Sequence, residues 1–283
     1  MNTKLNKIMV AIDFSEPSFN ALETAACLAE KSQAKLFLVH VQDNIFESMG
    51  VSSFTKNSVA NNSSSILTAL AADIQQKAGV KTVIVEKSGY TTEVLIKTAI
   101  QYTCDLIVMG TYGASGYRNG FIGTTAYSTI KFAPCPILII PAGKKWTFFR
   151  KPLFPVRPVV TALRHYDIIR NFLSDNPTIN VLGLYHSDQD TIDELNELVS
   201  EMEEKLIVNK ITSNAVWGAE SSISKNILAQ AERVKSDLII VTPAIDVSAK
   251  TFYIGPNTHE IIHIAKIPVL VINKVNVYAL SGN

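Results

Sequence analysis

The sequence predicts two tandem doubly wound α/β domains, each an open, mainly parallel five-stranded sheet flanked by helices. Three observations predict it. Short aliphatic runs alternate with amphipathic helical patterns through the first half. A pair of strands from that half recurs downstream at a fixed spacing. The 283 residues also reach the size at which one hydrophobic core stops growing and a chain divides.

In order along the chain, residues 8–12 (IMVAI) read as a buried strand. Residues 16–31 carry Ala21, Leu22, Ala25, Cys27, Leu28 and Ala29 on one helical stripe. The second strand covers residues 35–41. Residues 43–65, rich in Ser and Asn, lack periodicity and read as an irregular excursion that enters a helix near Ile66, with Ile66, Leu67, Leu70 and Ile74 as its apolar face. A strand at 82–85, a helix at 92–102 and a strand at 106–109 follow. Residues 137–140, bracketed by Pro136 and Pro141, close the unit as its fifth strand.

Beyond Pro141, Pro152, Pro155 and Pro158 exclude regular structure and mark a connector. It also holds Trp146, Phe148, Phe149, Leu153 and Phe154, which need cover, so it is expected to pack on a domain. The expected division is 1–141, a connector at 142–158, and 159–283. The repeat supports it: Asp105-Leu-Ile-Val-Met and Pro136-Ile-Leu-Ile-Ile return as Asp237-Leu-Ile-Ile-Val and Pro268-Val-Leu-Val-Ile, both at an offset of 132 residues. In the second copy the expected elements are strands at 159–162 and 179–184, an acidic helix at 192–205 and a helix at 222–234. A stunted helix holding Ile168, Ile169 and Phe172 is expected between its first two strands. The closing strands of both copies are expected to leave open sheet edges through which one copy pairs with the other.

Composition narrows the function. Twenty-six Lys+Arg against 25 Asp+Glu leave a net charge of +1, so no global field holds a polyanion and general nucleic-acid binding is disfavoured. The cysteines, Cys27, Cys104 and Cys135, form neither a disulfide framework nor a metal spacing. The aliphatic run after Lys7 is shorter than the ~7 to 15 residues of a secretory signal, and no run approaches the ~20 that span a bilayer. The expectation is a reduced, cytoplasmic chain without membrane contact.

After the fourth strand come Gly110, Gly113, Gly116, Gly120 and Gly123, five glycines in fourteen residues, leading to Thr124 and Thr125 at a helix start. Such a run at the carboxyl end of a parallel strand offers backbone N–H groups and a positive helix end to an anion. No lysine follows as in a Walker A loop, and the spacing is not that of a Rossmann turn. A glycine loop serving only the fold stays open as the bland alternative.

The spacing G-x2-G-x9-G-[ST] at Gly110, Gly113, Gly123 and Thr124 resembles the nucleotide motif of the universal stress protein family. Asp13 at the end of Val-Ala-Ile-Asp-Phe-Ser and His40-Val41 in Leu-Val-His-Val add to the likeness. The resemblance implies a tandem member of that family, with the signature confined to residues 1–141. It further implies an adenine nucleotide, ATP or else ADP or AMP, with Mg²⁺ on the phosphates. Adenine would lie against Asp13 and the backbone of Val41, ribose near Met109 and Gly110, and phosphates on Gly113, Gly123, Thr124 and Thr125. Asp13, with Ser15 behind it, equally suits a turn or cap carboxylate, Val41 suits plain core packing, and Arg118 suits either a phosphate or water.

In the second copy Thr242, Ile245, Pro256 and Asn257 replace Gly110, Gly113, Thr124 and Thr125, while Gly255 keeps the place of Gly123. Leu163 stands near the place of Asp13. A proline without an N–H and a β-branched side chain disarm such a loop, so this copy reads as a non-binding pseudo-dimer partner. Its His259-Glu260-x-x-His263 spells a zinc-protease motif, yet no Asp, Glu, His or Cys follows His263 to supply a third ligand. The leading expectation is a nucleotide-binding stress-response regulator with slow or no hydrolysis, because no lysine or arginine clamp is evident. A nucleotide-free scaffold and a slow ATPase or adenylate-processing enzyme are the alternatives, and dimerisation of the whole chain is left open.

Overall fold

Six residues, β1 (Lys7–Ile12), five of them aliphatic after Lys7, run through the middle of a parallel sheet with both faces covered, which is why Ile8, Met9, Val10 and Ile12 are buried. The computed structural model describes residues 5–43, 54–111, 123–156, 169–173, 177–185, 193, 196–197, 200, 210–211, 215–216, 222–242 and 254–272. The first half continues with α1 (Glu16–Ser32), β2 (Lys35–Asp43), α2 (Phe54–Ala78), β3 (Thr82–Gly89), α3 (Thr91–Tyr102), β4 (Leu106–Thr111), α4 (Thr124–Phe132) and β5 (Ile137–Pro141). The second half holds β6 (Pro152–Val156), a 3₁₀ turn at Arg170–Phe172, β7 (Asn180–Tyr185), β8 (Lys210–Ile211), β9 (Ala215–Val216), α5 (Ile223–Arg233), β10 (Leu238–Val241), α6 (Pro256–Ile264) and β11 (Val269–Val271).

All the strands join one open sheet in the order β3-β2-β1-β4-β5-β11-β10-β6-β7-β8, with β9 beside β7. Every pairing is parallel except β5 with β11. That antiparallel contact sets Leu138 opposite Leu270, Ile139 opposite Val269 and Ile137 opposite Val271. At the repeat offset Leu138 and Leu270 are equivalent residues, so the two halves meet edge to edge in a register that maps each onto the other. The fold is therefore mixed α/β with a mostly parallel, open sheet, as the alternation of strands and helices predicts.

Alternation along the strands divides the core into two layers. Ile8, Val10, Leu36, Leu38, Leu106 and Val108 face α1 and α2. Met9, Phe37, Val39, Ile107 and Met109 face α3 and α4. Both layers run on into the second half, through Phe154, Leu238 and Leu270 on one face and Leu182, Ile239 and Val269 on the other.

Three expectations are corrected. The second helix starts at Phe54, not near Ile66, and residues 44–53 lie outside the description. Part of what reads as a connector is a strand: β6 occupies residues 152–156 and pairs with both β10 and β7. It takes the place that β1 holds in the first half, a place expected for residues 159–162, which lie outside the described residues. Proline is tolerated there because Pro152 opens the strand and Pro155 lies past the end of the β10 ladder, which stops at Leu153. Of the stunted helix, the described part is the 3₁₀ turn at Arg170–Phe172, which follows a buried Ile169, and Ile168 lies outside the described residues. Of the expected acidic helix, residues 193, 196–197 and 200 are helical.

The segment after β5 packs down, as its aromatic content requires. Trp146 and Phe149 are buried, and the Trp146 carbonyl accepts the Thr24 hydroxyl of α1 at 2.6 Å. The Gly143 N–H donates to Glu16 at 3.0 Å, and Lys31 of α1 donates to the Leu173 carbonyl at 2.6 Å. Helix α1 thus touches both the strap and the second half.

Candidate functional site

In the first half the chain runs outward from β1 to β2 and β3, then returns to place β4 on the other side of β1, so the strand order reverses between β1 and β4. Ligands of open α/β sheets bind beyond the carboxyl ends of strands at such a reversal. The β1–β4 ladder ends at Val10 opposite Val108, although both strands continue. Asp13 follows β1 on one side of this point, and Met109 and Gly110 end β4 on the other.

Gly110 has a steric reason to be glycine. A Cβ on it would lie 2.3 Å from the Pro17 carbonyl carbon and 2.6 Å from the Ser18 nitrogen, both backbone atoms of α1's first turn. Only a residue without a side chain lets the helix start sit this close to the strand end. Proline at the first turn and the small, buried Ser18 complete that approach.

The carboxylate of Asp13 closes a turn ahead of the helix. Its Oδ1 accepts the Ser15 N–H at 3.0 Å and the Ser15 hydroxyl at 2.5 Å. Ser15 is the N-cap of α1, and its Oγ accepts the Ser18 N–H at 3.4 Å. Phe14, between them, takes a left-handed φ of 63°, and its ring lies 4.6 Å from that of His40. His40 Nδ1–H donates to the Ile12 carbonyl at 2.8 Å, tying the ends of β1 and β2 together. Val41, the next residue of β2, is half-buried and packs on the α3 and α4 layer.

Gly123 is the N-cap of α4, with open space where a Cβ would stand and no side-chain cap over the helix. Thr124 is exposed and Thr125 half-buried on the first turn. Among the described residues no side chain caps this helix start, whose first amides lack an intrahelical partner. Gly113 and Arg118 lie outside the described residues. Of the expected site residues, Asp13, Val41, Met109 and Gly110 thus collect at the carboxyl ends of β2, β1 and β4, and Gly123, Thr124 and Thr125 open the helix that leads from β4 to β5. Sequence reasoning missed the helix-to-strand contact at Gly110, for which Pro17-Ser18 is the only local signal.

The zinc-protease pattern comes apart on α6. Glu260 accepts the Ser224 hydroxyl at 2.5 Å at the start of α5, so it serves that helix end. His259 sets its ring edge-on to Tyr127 at 5.7 Å. Burial lowers the His259 pKa, His263 lowers it further, and Glu260 opposes both. Among the described residues no three His, Cys, Asp or Glu gather as a metal site. Thiol chemistry is equally unsupported: burial pushes Cys104 up to about 12, raises Cys135 further still and raises Cys27. No described helix is long and apolar enough to cross a membrane.

Residues 4–141 match the family model of the universal stress proteins. The chain belongs to that family. A universal stress protein of Bacillus subtilis is 27% identical over 146 residues, covering 48% of this chain and 98% of its own. Another, from Methanocaldococcus jannaschii, is 29% identical over 150 residues, covering 49% of this chain and 84% of its own. Both relatives correspond to about half of this universal stress protein. A crystal structure of a universal stress protein from Archaeoglobus fulgidus has the same fold over 96% of this chain and 97% of its own, at a TM-score of 0.76 and 16% identity.

Proposed function

We propose that this universal stress protein holds an adenine nucleotide, ATP, ADP or AMP, at the carboxyl ends of the strands of its first half as a regulatory ligand, with Mg²⁺ on the phosphates. The observation that carries the reading is the parting of β1 and β4 beyond Val10 and Val108, with a carboxylate on one side and an uncapped helix start beyond the other. The donor set fits the group. Asp13 and the Val41 backbone would receive the base, Met109 and Gly110 the ribose, and Gly113, Gly123, Thr124 and Thr125 the phosphates. In this reading the second half, where Thr242 and Pro256 replace Gly110 and Thr124, is a non-binding pseudo-dimer partner joined through β5 and β11.

Titration calorimetry of ATP with Mg²⁺ into the full chain tests it, with Thr124→Pro as the comparison. Proline is accepted at the first position of a helix, so the variant should fold as the wild type does while losing one amide donor. Weakening of about tenfold is expected, the worth of one charge-assisted hydrogen bond. No heat with either protein would favour a nucleotide-free scaffold. Phosphate release near ~10 s⁻¹, typical of dedicated enzymes, would overturn the regulatory role.

A further inference from the structure

At the seam the sheet pairs with its own repeat, but at the far end of the first half β3 (Thr82–Gly89) has a described neighbour, β2, on one side only. Which backbone groups it leaves over follows from the ladder. The Leu36 N–H donates to the Lys81 carbonyl, and Leu36 stands opposite Thr82. In a parallel pair the residues that bond a given neighbour alternate along each strand, so Lys81, Val83, Val85 and Lys87 serve β2. Thr82, Ile84, Glu86 and Ser88 therefore turn their N–H and C=O groups away from β2, and no described strand takes them. The side chains on either side are already ordered: Ile84 packs on the α1 and α2 layer, and Val85 is buried in the α3 and α4 layer. An eight-residue edge without proline, held in place by both layers, is a template for another strand.

We propose that β3 is the contact through which two copies of this chain pair, antiparallel about a two-fold axis at Val85. Symmetry and charge select that register. With Val85 opposite its own counterpart, Ile84 faces Glu86 of the second copy and Thr82 faces Ser88, so all four outward residues meet partners that also turn outward. Moving the axis to Ile84 sets Lys81 opposite Lys87, and moving it to Glu86 sets that carboxylate opposite itself. Like charges directly opposite destabilise a strand pair. A second copy suits this edge because the chain joins its own halves in the same manner, with the equivalent residues Leu138 and Leu270 opposite each other in an antiparallel pair. The pairing does not depend on the nucleotide reading.

Sedimentation velocity of the full-length protein tests it, and wild type should be a dimer at micromolar concentration. Ile84→Pro removes an outward N–H and leaves the bonds to β2 in place. The two-fold axis doubles that loss, so the dimer should weaken at least about tenfold. Urea unfolding checks that the variant folds. Register is read by cross-linking. The double variant Val83→Cys, Lys87→Cys should join two chains on mild oxidation, because position 83 faces position 87 of the second copy. Neither single variant should, since each position lies about 13 Å along the strand from its own counterpart, beyond the ~7 Å a disulfide spans. Wild type, with its free Cys27, Cys104 and Cys135, is the blank. A monomer at every concentration, a dimer that folded Ile84→Pro leaves intact, or a single variant that cross-links as readily as the double one overturns the inference. Should Ile84→Pro fail to fold, the double variant decides alone, and no cross-link in it overturns the inference as well.

Discussion

The two halves are built alike at one end of their strands and differently at the other. At the amino end, Asp105 accepts the N–H groups of Asn6 and Lys7 at 2.8 and 2.9 Å. Asp237 accepts those of Arg150 and Lys151 at 2.6 and 2.9 Å. One aspartate ahead of the fourth strand pins the start of the first in both. At the carboxyl end the likeness stops: in the repeat Thr242 stands for Gly110 and Pro256 for Thr124. The end that holds the sheet together is shared, and the end proposed to receive the nucleotide is not. That asymmetry supports the proposal that the first half is the binding half.

The sharpest way to break the comparison is to exchange the residues at the strand end. Gly110→Thr gives the first half the side chain of the second, and its Cβ would meet the backbone of Pro17 at 2.3 Å. Backbone cannot yield as a side-chain tip can, so α1 must move off β4. We expect a loss of about 3 kcal/mol, the upper end for overpacking, read as a lower midpoint in urea unfolding. Thr242→Gly is the control. Thr242 is buried, and its removal should cost no more than about 1 kcal/mol in lost packing and strand entropy. Equal costs at the two positions would show that no close helix approach distinguishes the halves.

Sharpening the shared feature calls for the two aspartates. Each accepts two backbone N–H groups in a partly solvated place, so Asp105→Ala and Asp237→Ala should each cost about 1 to 2 kcal/mol, with the amides recovering water in part. Similar losses would confirm that both copies depend on the same clamp. A loss in one variant only would mean that the likeness of geometry conceals a difference in load.

How far these features were legible depends on whether local chemistry or a distant contact determines them. The strands of the first half announce themselves because four or five consecutive aliphatic residues have no other stable use. The places of Asp13 after β1, Gly110 near the end of β4 and Gly123 at the start of α4 were legible, because aliphatic runs and a helical pattern bracket them. β6 was not, because two prolines within five residues argue against a paired strand; one opens the strand and the other lies past the end of the β10 ladder. The start of α2 was hidden by a Ser- and Asn-rich stretch of low helix propensity, in which Ser63 is nonetheless buried and donates to Glu86 of β3 at 3.2 Å. The reason Gly110 must be glycine was invisible for the same cause, since the atoms that crowd it lie more than ninety residues away.

The smallest expected effect concerns the seam between the halves. Tyr127 and His259 occupy equivalent places in the repeat and touch each other across it. Burial and the neighbouring His263 lower the pKa of His259 below the 6.5 of an unperturbed imidazole, with Glu260 opposing. Between the folded and unfolded pKa values the unfolded chain therefore binds more protons, so this residue makes stability rise with pH. Its contribution is fully present above pH 6.5 and declines as the pH falls through the lower folded value. His259→Tyr makes the seam symmetric and removes the titrating ring, leaving His263 and Glu260 as the titratable neighbours on α6. Urea midpoints measured from pH 7.5 down to about 5, a range spanning the ordinary imidazole titration, should fall less steeply for the variant than for the wild type. Parallel curves would mean that the protonated ring is accommodated at the seam as readily as in water, and that the contact with Tyr127 places no restriction on its charge.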